Sequence, residues 1–390
     1  MNKSIVYACL LLATVSSAMV QTNIVDGIAW VAESRDGGFD DTRCRIIRCE
    51  RQRHDRPGKK AGQVTVPRTI GNKRVHAIGE KAFQGNVWLD EVVIHSGVSR
   101  LEDMAFAECP NLTNVVMEYA IRVPGEHGVE NIGEKAFVDC CKLEVVSFSP
   151  YLTCIGHWAF QRCRKLQTVT FNYFSSLGEG AFEECDRLER VYLPGNTELR
   201  GNAFSLCSNL KFISLDSENE HVMVRDGVLY DKNMKVLVTY PAKRDGTTFV
   251  VPEGVECIYA FAFSRAKMLK SVKLPSSLRS VMTGAFLDCG LSAAVMPQGV
   301  EYVGEGAFMK SAVTTAVIPS TVKTMGRICF SGCNNLSSIR FEGTPPEVLD
   351  EQVGDVFAPS NCVLRVKNTD EWKTHKTFSR YGIKAFGVDP

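Results

Sequence analysis

The chain carries almost no net charge, few histidines and no long apolar run beyond its first residues. Its formal charge is +1, with 45 Lys and Arg against 44 Asp and Glu. A nearly neutral chain has no global field to attract nucleic acid or an anionic membrane. After the N-terminus, no segment approaches the roughly 18–20 apolar residues that a membrane-spanning helix needs. We therefore predict no transmembrane segment and no nucleic-acid partner.

Signatures of catalysis and of metal binding are also missing. The sequence contains no Gly-x-Ser-x-Gly, no His-Glu-x-x-His and no Gly-x4-Gly-Lys-Ser/Thr phosphate loop, which mark common hydrolases, metalloproteases and nucleotide-binding proteins. Cys154 and His157 are two zinc-type ligands, whereas a structural zinc site needs four. We expect a non-catalytic protein that requires no metal and no cofactor.

The main positive feature is an Ala-Phe pair that recurs at a nearly constant interval. Its copies are Ala82-Phe83, Ala105-Phe106, Ala136-Phe137, Ala159-Phe160, Ala181-Phe182, Ala203-Phe204, Ala262-Phe263, Ala285-Phe286 and Ala307-Phe308, with Cys329-Phe330 as the last. Most intervals between the phenylalanines are 22 or 23 residues, and two are longer, at 31 and 59. This period lies in the range of leucine-rich-repeat coils. It predicts a stack of coils that presents an extended surface rather than an enclosed pocket.

Each Ala-Phe pair is embedded in a longer pattern. Ile-Gly or a relative precedes it, as in Ile132-Gly133, and a Leu-x-x-Val-x-Phe run such as Leu143 to Phe148 follows it. The alternation at the end of that run is typical of a strand whose framework side chains point inward. Three residues after the Phe, a small side chain occupies one slot in every coil: Asn86, Cys109, Cys140, Cys163, Cys185, Cys207, Ala266, Cys289, Ser311 and Cys333. We expect this slot to form a ladder of small buried side chains.

This combination resembles the BspA-like family of leucine-rich repeats, whose pattern is close to Ile-Gly-x-x-Ala-Phe-x-x-Cys-x-x-Leu-x-x-Val-x-(Ile/Leu)-Pro. The resemblance covers roughly residues 64–341 in ten copies. It implies an α/β repeat solenoid, a curved leucine-rich-repeat horseshoe with a parallel β-sheet on one face. About ten coils of 22–23 residues would be capped at both ends. The resemblance also implies an extracytoplasmic role in binding or adhesion.

The breaks in the repeat divide the chain into six segments. Lys3, an apolar run from Ile5 to Val15 and the small residues Ser16 to Ala18 are typical of a secretory signal peptide. We expect the protein to be secreted or extracytoplasmic, in a periplasm or at a cell surface. The predicted segments are a signal peptide (1–18), an N-terminal cap (19–63), a first repeat block (64–215), a β-hairpin island (216–252), a second repeat block (253–341) and a C-terminal cap (342–390).

The two long intervals hold inserted residues. The 31-residue interval contains a loop around residues 119–128, which is either a neutral insertion or part of a binding surface. In the 59-residue interval, two hydrophobic runs joined by Asp231–Lys235, with Asp226-Gly227 inside the first, predict β-hairpin structure. Similar islands with an Asp-Gly-Val-Leu-Tyr signature occur in the BspA-like family. The island either keeps the solenoid continuous or serves as a binding module.

Fifteen cysteines in a secreted chain usually indicate disulfides, but the ladder positions favour free thiols. Stacked equivalent residues have parallel Cβ vectors, and this geometry does not favour a bond. Outside the ladder, Cys44 and Cys49 are the candidate disulfide pair. The segment 43–60 around them holds eight Lys and Arg against two acidic residues. It is either a polyanion site or a charged cap that prevents the sheet edge from pairing with another chain.

The outward strand positions are the expected binding surface. Most of them are small, β-branched or hydroxylated, whereas Arg190, Tyr192 and Phe212 place larger contact groups on consecutive coils. Arg and Tyr are frequent anchors of protein interfaces. An alternative is that Phe212 is covered by Tyr230 or Tyr240 of the island.

Three functional hypotheses of different classes follow. The first is a secreted or cell-surface leucine-rich-repeat protein that binds a protein or glycan partner outside the cell through its sheet face, without catalysis. The second is a structural envelope protein that self-associates. The third is a glycan-processing enzyme with carboxylates on a rim, which is disfavoured because ligands and substrates are usually held in concave sites.

Overall fold

The repeats stack into a solenoid in which each coil contributes parallel strands to two faces. The computed structural model describes residues 18–25, 28–35, 43–51, 62–121, 126–171, 176–349 and 358–385. About 13 turns follow one another, and almost all of the regular structure is β-strand. The parallel-strand solenoid predicted from the repeat is confirmed.

The first face, called here the Ile-Gly face, is formed by short strands that contain the Ile of each Ile-Gly pair or its equivalent. In the first half they are β6 (Lys73–Ile78), β8 (Arg100–Leu101), β10 (Asn131–Ile132), β12 (Cys154–Ile155), β14 (Ser176–Gly178) and β16 (Glu198–Arg200). In the second half they are β20 (Val236–Thr239), β22 (Cys257–Ile258), β24 (Ser280–Val281), β26 (Tyr302–Val303), β28 (Thr324–Gly326) and β30 (Glu347–Leu349). Within each half, every strand pairs in parallel with the next.

The second face, called here the Leu-x-x-Val face, consists of four groups of parallel strands. The first two groups are β4 (Gln63–Thr65), β7 (Glu91–Ile94), β9 (Asn114–Met117) and β11 (Val145–Ser147), then β13 (Thr168–Thr170), β15 (Arg190–Leu193) and β17 (Phe212–Leu215). The other two are β21 (Thr248–Val250) and β23 (Ser271–Lys273), then β25 (Ala293–Val295), β27 (Thr315–Ile318), β29 (Ser338–Phe341), β31 (Val363–Val366) and β32 (Gly382–Ala385). Side chains alternate along these strands, so Val191 and Leu193 are buried while Arg190 and Tyr192 are exposed.

The Ala-Phe segment forms the third side of each coil. Lys81 and Gly85, on either side of Ala82-Phe83, have positive φ angles of 57° and 69°. The Phe83 N–H points along the stack and donates to the Ala105 carbonyl oxygen of the next coil at 2.8 Å, and equivalent bonds recur from coil to coil. Non-glycine residues in the left-handed region are uncommon. Hydrogen bonds between coils stabilise this conformation in each repeat.

The repeat phenylalanines stack through the interior. Neighbouring ring centroids are 4.6–5.9 Å apart from Phe83 to Phe204, and again from Phe263 to Phe330. Trp30 contacts Phe83 edge-on at 6.0 Å. Aromatic pairs in such geometries contribute about 0.5–1.5 kcal/mol each beyond the burial of their surface.

Between the two halves, the island forms three antiparallel strands, β18 (Val222–Arg225), β19 (Val228–Asp231) and β20. Asp226 and Gly227, with φ angles of 52° and 74°, make the tight turn between β18 and β19. Strand β20 then pairs in parallel with β22, so the island continues the Ile-Gly face. Tyr240 stacks on Phe263 at 4.9 Å, where a repeat phenylalanine would otherwise lie.

The hydrophobic interior is divided into two clusters that meet at the island. The first cluster extends from Ile28 to Val238 and the second from Val228 to Tyr381. Strand β19 contributes to both, because Leu229 packs in the first cluster while Val228 and Tyr230 pack in the second.

The N-terminal cap is an antiparallel meander of β1 (Ala18–Val25), β2 (Ile28–Arg35) and β3 (Arg43–Arg51). Strand β3 pairs in parallel with β6 and so joins the cap to the first coil. The short strand β5 (Thr69–Ile70) pairs antiparallel with β6. The predicted signal peptide lies outside the described residues, except that Ala18 begins β1.

The C-terminal cap seals the last coils with aromatic side chains. A helix (Asp370–Thr374) and a 3-10 turn (Phe378–Arg380) precede β32. They place Trp372 and Phe378 against Phe341, at centroid distances of 4.5 and 5.6 Å.

Three details of the architecture differ from expectation. The solenoid has about 13 turns rather than ten, since the caps and the island form turns that lack an Ala-Phe pair. Parallel strands line two faces rather than one, because the Ile-Gly segments also hydrogen-bond between coils. Helix in the described ranges is limited to the C-terminal cap, because the Ala-Phe segments form left-handed turns instead.

The Ile-Gly glycines lie where neighbouring coils approach most closely. A Cβ on Gly156 would be 2.7 Å from the backbone nitrogen of Glu134 in the preceding coil. We predict that Gly156→Ala lowers the free energy of unfolding by about 1–3 kcal/mol, the range for overpacking a tight site. Urea denaturation followed by circular dichroism measures the change. Gly382→Ala is the control, since its Cβ would meet nothing nearer than 3.9 Å, and equal losses in both variants would contradict this explanation.

Candidate partner-binding surface

The three predicted contact residues lie together on the Leu-x-x-Val face. Arg190 and Tyr192 are on β15, and Phe212 is on the adjacent strand β17 directly opposite Arg190. Tyr192 and Phe212 are 40% and 44% exposed. Their ring centroids are 6.5 Å apart in an edge-to-face arrangement. Two neighbouring coils therefore present an aromatic pair beside a guanidinium group.

The island does not cover this pair. Tyr230 and Tyr240 are both buried in the second hydrophobic cluster, while Phe212 remains 44% exposed, which contradicts the alternative that either tyrosine covers Phe212. Strand β17 is the last of its parallel group, and β21 begins another. The aromatic pair therefore lies beside a break in the sheet.

Charges flank the pair on one side. Lys211 Nζ and Glu189 Oε2 are 2.9 Å apart, and the hydrogen bond from Lys211, its charge and the more distant Arg190 lower the pKa of the Glu189 carboxyl. Within the described residues, Arg190 forms no salt bridge. Its guanidinium is thus available to an acceptor on a partner.

Further apolar side chains are exposed along the same face. Val145, Val250 and Val295 are 53%, 63% and 58% exposed. The sequence pattern did not single them out, and Val250 was assigned to the island although β21 pairs in register with β23. The signal that could have placed Val250 is the Pro252 that follows its run, as Pro follows other strands of this face.

The ladder slot lies inside the stack, and its cysteines bond from each coil to the coil before it. Each Sγ donates to a backbone carbonyl oxygen: Cys109 to Phe83 (3.1 Å), Cys140 to Phe106 (3.1 Å), Cys163 to Phe137 (3.3 Å), Cys185 to Phe160 (3.3 Å), Cys207 to Phe182 (3.1 Å), Cys289 to Ala266 (3.5 Å) and Cys333 to Phe308 (2.9 Å). Asn86, Ala266 and Ser311 are buried in the same slot, and Ser311 Oγ lies 3.4 Å from Cys333 Sγ.

The ladder thiols are free. Burial suppresses the ionisation of most of them, whereas a hydrogen bond with Cys140 lowers the pKa of Cys109. Burial raises the pKa of Cys163 and Cys185 well above the ordinary value, and it raises the pKa of Cys207 to about 12. Only a thiolate is a good nucleophile or metal ligand. These cysteines therefore act as packing groups and hydrogen-bond donors at neutral pH.

The predicted Cys44–Cys49 disulfide is wrong. Both thiols are free, and both residues lie in the extended strand β3. Five residues of strand span about 16 Å at about 3.3 Å per residue, whereas bonded cysteines have Cα atoms within about 7 Å. Register shifts in the pairing of β3 let both side chains face the interior.

The basic segment 43–60 is described only as far as residue 51. Arg45 pairs with Glu33 and Glu102, and Arg48 pairs with Glu50. These two cations are thus balanced by carboxylates of the protein, which favours the charged-cap interpretation for the described part of the segment.

The 31-residue interval borders a polar cleft of about 480 Å³. Glu126 accepts hydrogen bonds from Arg68 and Ser96, both at 3.0 Å, and ties the insertion to earlier coils. His95 Nε2 donates to the Pro67 carbonyl at 3.1 Å, and its other ring nitrogen accepts a backbone N–H. Burial and the charge of Arg68 lower the pKa of His95, so this ring is a neutral structural group.

No group of three or more His, Cys, Asp or Glu within the described ranges is arranged to hold a metal ion. His157, one of the two zinc-type residues noted in the sequence, accepts the backbone N–H of Glu179 at 3.0 Å. In this part of the chain, no helix is long and apolar enough to cross a membrane.

The repeat architecture of this chain is shared with a known protein family. Six copies of a BspA type leucine rich repeat region match the chain, over residues 65–127, 120–225 and 242–351. The chain belongs to the BspA-type leucine-rich-repeat family. The resemblance seen in the repeat pattern is confirmed, and it covers both halves of this BspA-type solenoid. No curated protein sequence matches the chain.

Solved structures of bacterial leucine-rich-repeat proteins share the fold. The pneumococcal vaccine antigen PcpA is 19% identical with a TM-score of 0.71, covering 94% of this chain and 99% of its own. A leucine-rich repeat protein from Eubacterium ventriosum is 20% identical with a TM-score of 0.61, covering 90% and 85%. A leucine rich cell surface protein from Faecalibacterium prausnitzii is 23% identical with a TM-score of 0.55, covering 83% and 95%. At these identities the likeness is one of fold.

The buried thiols of this BspA-type protein predict an alkaline stability limit. A Cys ionises near pH 9.0 in the unfolded chain, whereas folded Cys207 stays protonated to about pH 12. The contribution of the buried Cys207 thiol to stability is complete below pH 9. It is lost as the pH rises towards 12, because in this range the unfolded chain has released the thiol proton that the folded protein still holds. We expect the free energy of unfolding to fall by about 1.4 kcal/mol per pH unit for each such thiol. Urea denaturation between pH 8 and 11 measures this slope.

Two substitutions test the cause of that slope. Cys207→Ala removes one buried thiol. The free energy of unfolding of this variant should therefore fall less steeply with pH, by the contribution of one thiol. Cys141→Ala removes an exposed thiol and should leave the slope as it is. If the free energy of unfolding of Cys207→Ala falls with pH as steeply as that of the unchanged protein, burial of this thiol does not govern alkaline stability.

Proposed function

We propose that this protein is a secreted or cell-surface leucine-rich-repeat protein that binds a protein or glycan partner through its Leu-x-x-Val face. The observation that carries the proposal is the exposed pair of Tyr192 and Phe212, 6.5 Å apart beside Arg190. Aromatic and Arg side chains dominate the energetics of many interfaces. Exposed aromatic rings on a rigid sheet form a contact surface at low entropic cost.

The open form of this face supports the same function. The exposed side chains of Val145, Val250 and Val295 are scattered over coils that are not adjacent, so the aromatic pair is the main apolar contact group. An extended partner fits an open sheet better than a small molecule does, since small molecules usually bind in a concave pocket.

Location outside the cytoplasm is part of the proposal. The predicted leader 1–18 supports it. The solved protein from Faecalibacterium prausnitzii that shares the fold is described as a leucine rich cell surface protein. The proposed role is non-catalytic. Enzymes strengthen the electrostatic interactions of their active sites by enclosing them and expelling water, whereas an open sheet face excludes water poorly.

A binding screen tests the proposed surface. The full chain is screened against extracellular-matrix proteins and a glycan array, beside a variant with Arg190→Ala, Tyr192→Ala and Phe212→Ala. We expect the variant to lose at least about tenfold in affinity for the partner found, since truncating one interface anchor often costs more than about 1 kcal/mol. Surface plasmon resonance measures the change.

The matched control removes three exposed side chains outside this surface. It combines Val87→Ala, Arg100→Ala and Met268→Ala, and all three side chains are exposed. The control should bind as the unchanged protein does. Equal loss of affinity in the test and control variants would mean that the contact is not specific to this surface. Unchanged affinity in the test variant would mean that Arg190, Tyr192 and Phe212 are not part of the site.

Self-association is a second candidate, favoured by the strands at the two ends. Within the described residues, β1 and β32 each lie at the edge of a sheet, and β1 exposes Ile24 at 58%. An open strand edge is a template for pairing with another chain. If the protein assembles this way, light scattering will show a mass that rises with concentration, and Ile24→Lys will reduce the rise. A constant monomer mass at high concentration would contradict self-assembly.

A further inference from the structure

Three cations lie in register at the C-terminal end of the Leu-x-x-Val face. Arg340 on β29 is directly opposite Arg365 on β31, and Arg365 is directly opposite Lys384 on β32. All three side chains are exposed. Neighbouring strands are about 4.8 Å apart, so the three residues form one straight row across three consecutive strands, called here the cation row.

Among the described residues, carboxylates pair with Arg340 but not with the other two cations of this row. Glu342 lies 3.4 Å from Arg340 and also accepts a hydrogen bond from Gln298. Within the described residues, Arg365 and Lys384 form no salt bridge. Like charges directly opposite each other in a sheet destabilise the pairing. An anion bound across the row would relieve this repulsion.

The side chains next to the row are short. Ser338, Val363 and Gly382 occupy the other outward position on the same three strands and pair in register with one another. Short side chains therefore lie beside the cations on all three strands. A linear polymer that lies across the strands can place anionic groups against successive cations.

We propose that the cation row binds a linear acidic polysaccharide through its carboxylate or sulfate groups. The guanidinium of Arg binds such planar or tetrahedral anions with two parallel hydrogen bonds. No aromatic side chain occupies the outward positions of β29, β31 and β32, and base stacking on aromatics is what single-stranded nucleic acids use. The site is separate from the aromatic pair of the proposed function and stands without it.

Heparin oligosaccharides and polygalacturonate are the probes that test the row. Fluorescence anisotropy of the labelled oligosaccharides measures the dissociation constant for the full chain at several salt concentrations. The test variant combines Arg340→Gln, Arg365→Gln and Lys384→Gln. We expect its affinity for at least one of the two probes to fall about tenfold or more and its salt dependence to become shallower, because fewer counterions are released on binding.

The control variant makes the same change of charge away from this face. Arg100→Gln, Arg200→Gln and Lys310→Gln remove three exposed cations from the other two sides of the coils. It should change the affinity less than about twofold if the row, and not overall charge, binds the polymer. Equal losses in both variants, or no binding of either probe by the unchanged chain, would overturn the proposal.

Further measurements separate this site from folding and from other anions. The test variant should melt no lower than the unchanged protein, since it removes opposed like charges; a lower melting temperature with lost binding would attribute the loss to unfolding and count against the site. Binding of Arg190→Ala, Tyr192→Ala, Phe212→Ala to the polysaccharides should equal that of the unchanged chain. If the cation row binds single-stranded DNA or phosphatidylserine vesicles more tightly than either polysaccharide, the proposed ligand is wrong.

Discussion

The whole structure depends on successive coils approaching to backbone contact distance. A Cβ on Gly133, Gly156 or Gly178 would overlap backbone or polar atoms of the preceding coil. Thiols of the ladder fill the space behind the phenylalanine stack and donate back to the coil before. Hydrogen bonds between coils hold left-handed residues that would be strained alone. The close approach of the coils constrains the inward and turn positions only. The outward strand positions are therefore free to vary, and the proposed binding residues occupy these outward positions.

Two regions of one sheet face differ in chemistry. The central region presents aromatic rings and scattered valines, whereas the C-terminal end presents three opposed cations. The first spans two adjacent strands and the second spans three. A repeat protein can combine such regions because each coil adds its outward residues independently to a continuous surface.

The Ala-Phe period was sufficient to predict the coil, the inward slots and the exposed position of Tyr192, since each depends on a local pattern that the stack repeats. Features outside the pattern could not be predicted. Arg365 and Lys384 lie in the C-terminal cap, where no repeat sets the strand register. The predicted Cys44–Cys49 disulfide is wrong because both residues lie in one extended strand, which keeps their Cα atoms too far apart to be bonded. The additional turns come from segments such as the one that follows β20, where Tyr240 stacks on Phe263 in place of a repeat phenylalanine.

Strand β19 is a partition between two hydrophobic interiors. Its side chains alternate, with Leu229 in one cluster and Val228 and Tyr230 in the other, while the repeat phenylalanine stack is interrupted between Phe204 and Tyr240. In the described residues, ring stacking does not cross this boundary, whereas hydrogen bonds do: Asn202 Nδ2 donates to the Ala260 carbonyl oxygen at 3.0 Å, and the Leu206 N–H donates to Ser264 Oγ at 3.1 Å. The two halves therefore share a continuous hydrogen-bonded scaffold but have separately packed interiors, so a core substitution in one half should disturb mainly the packing of that half.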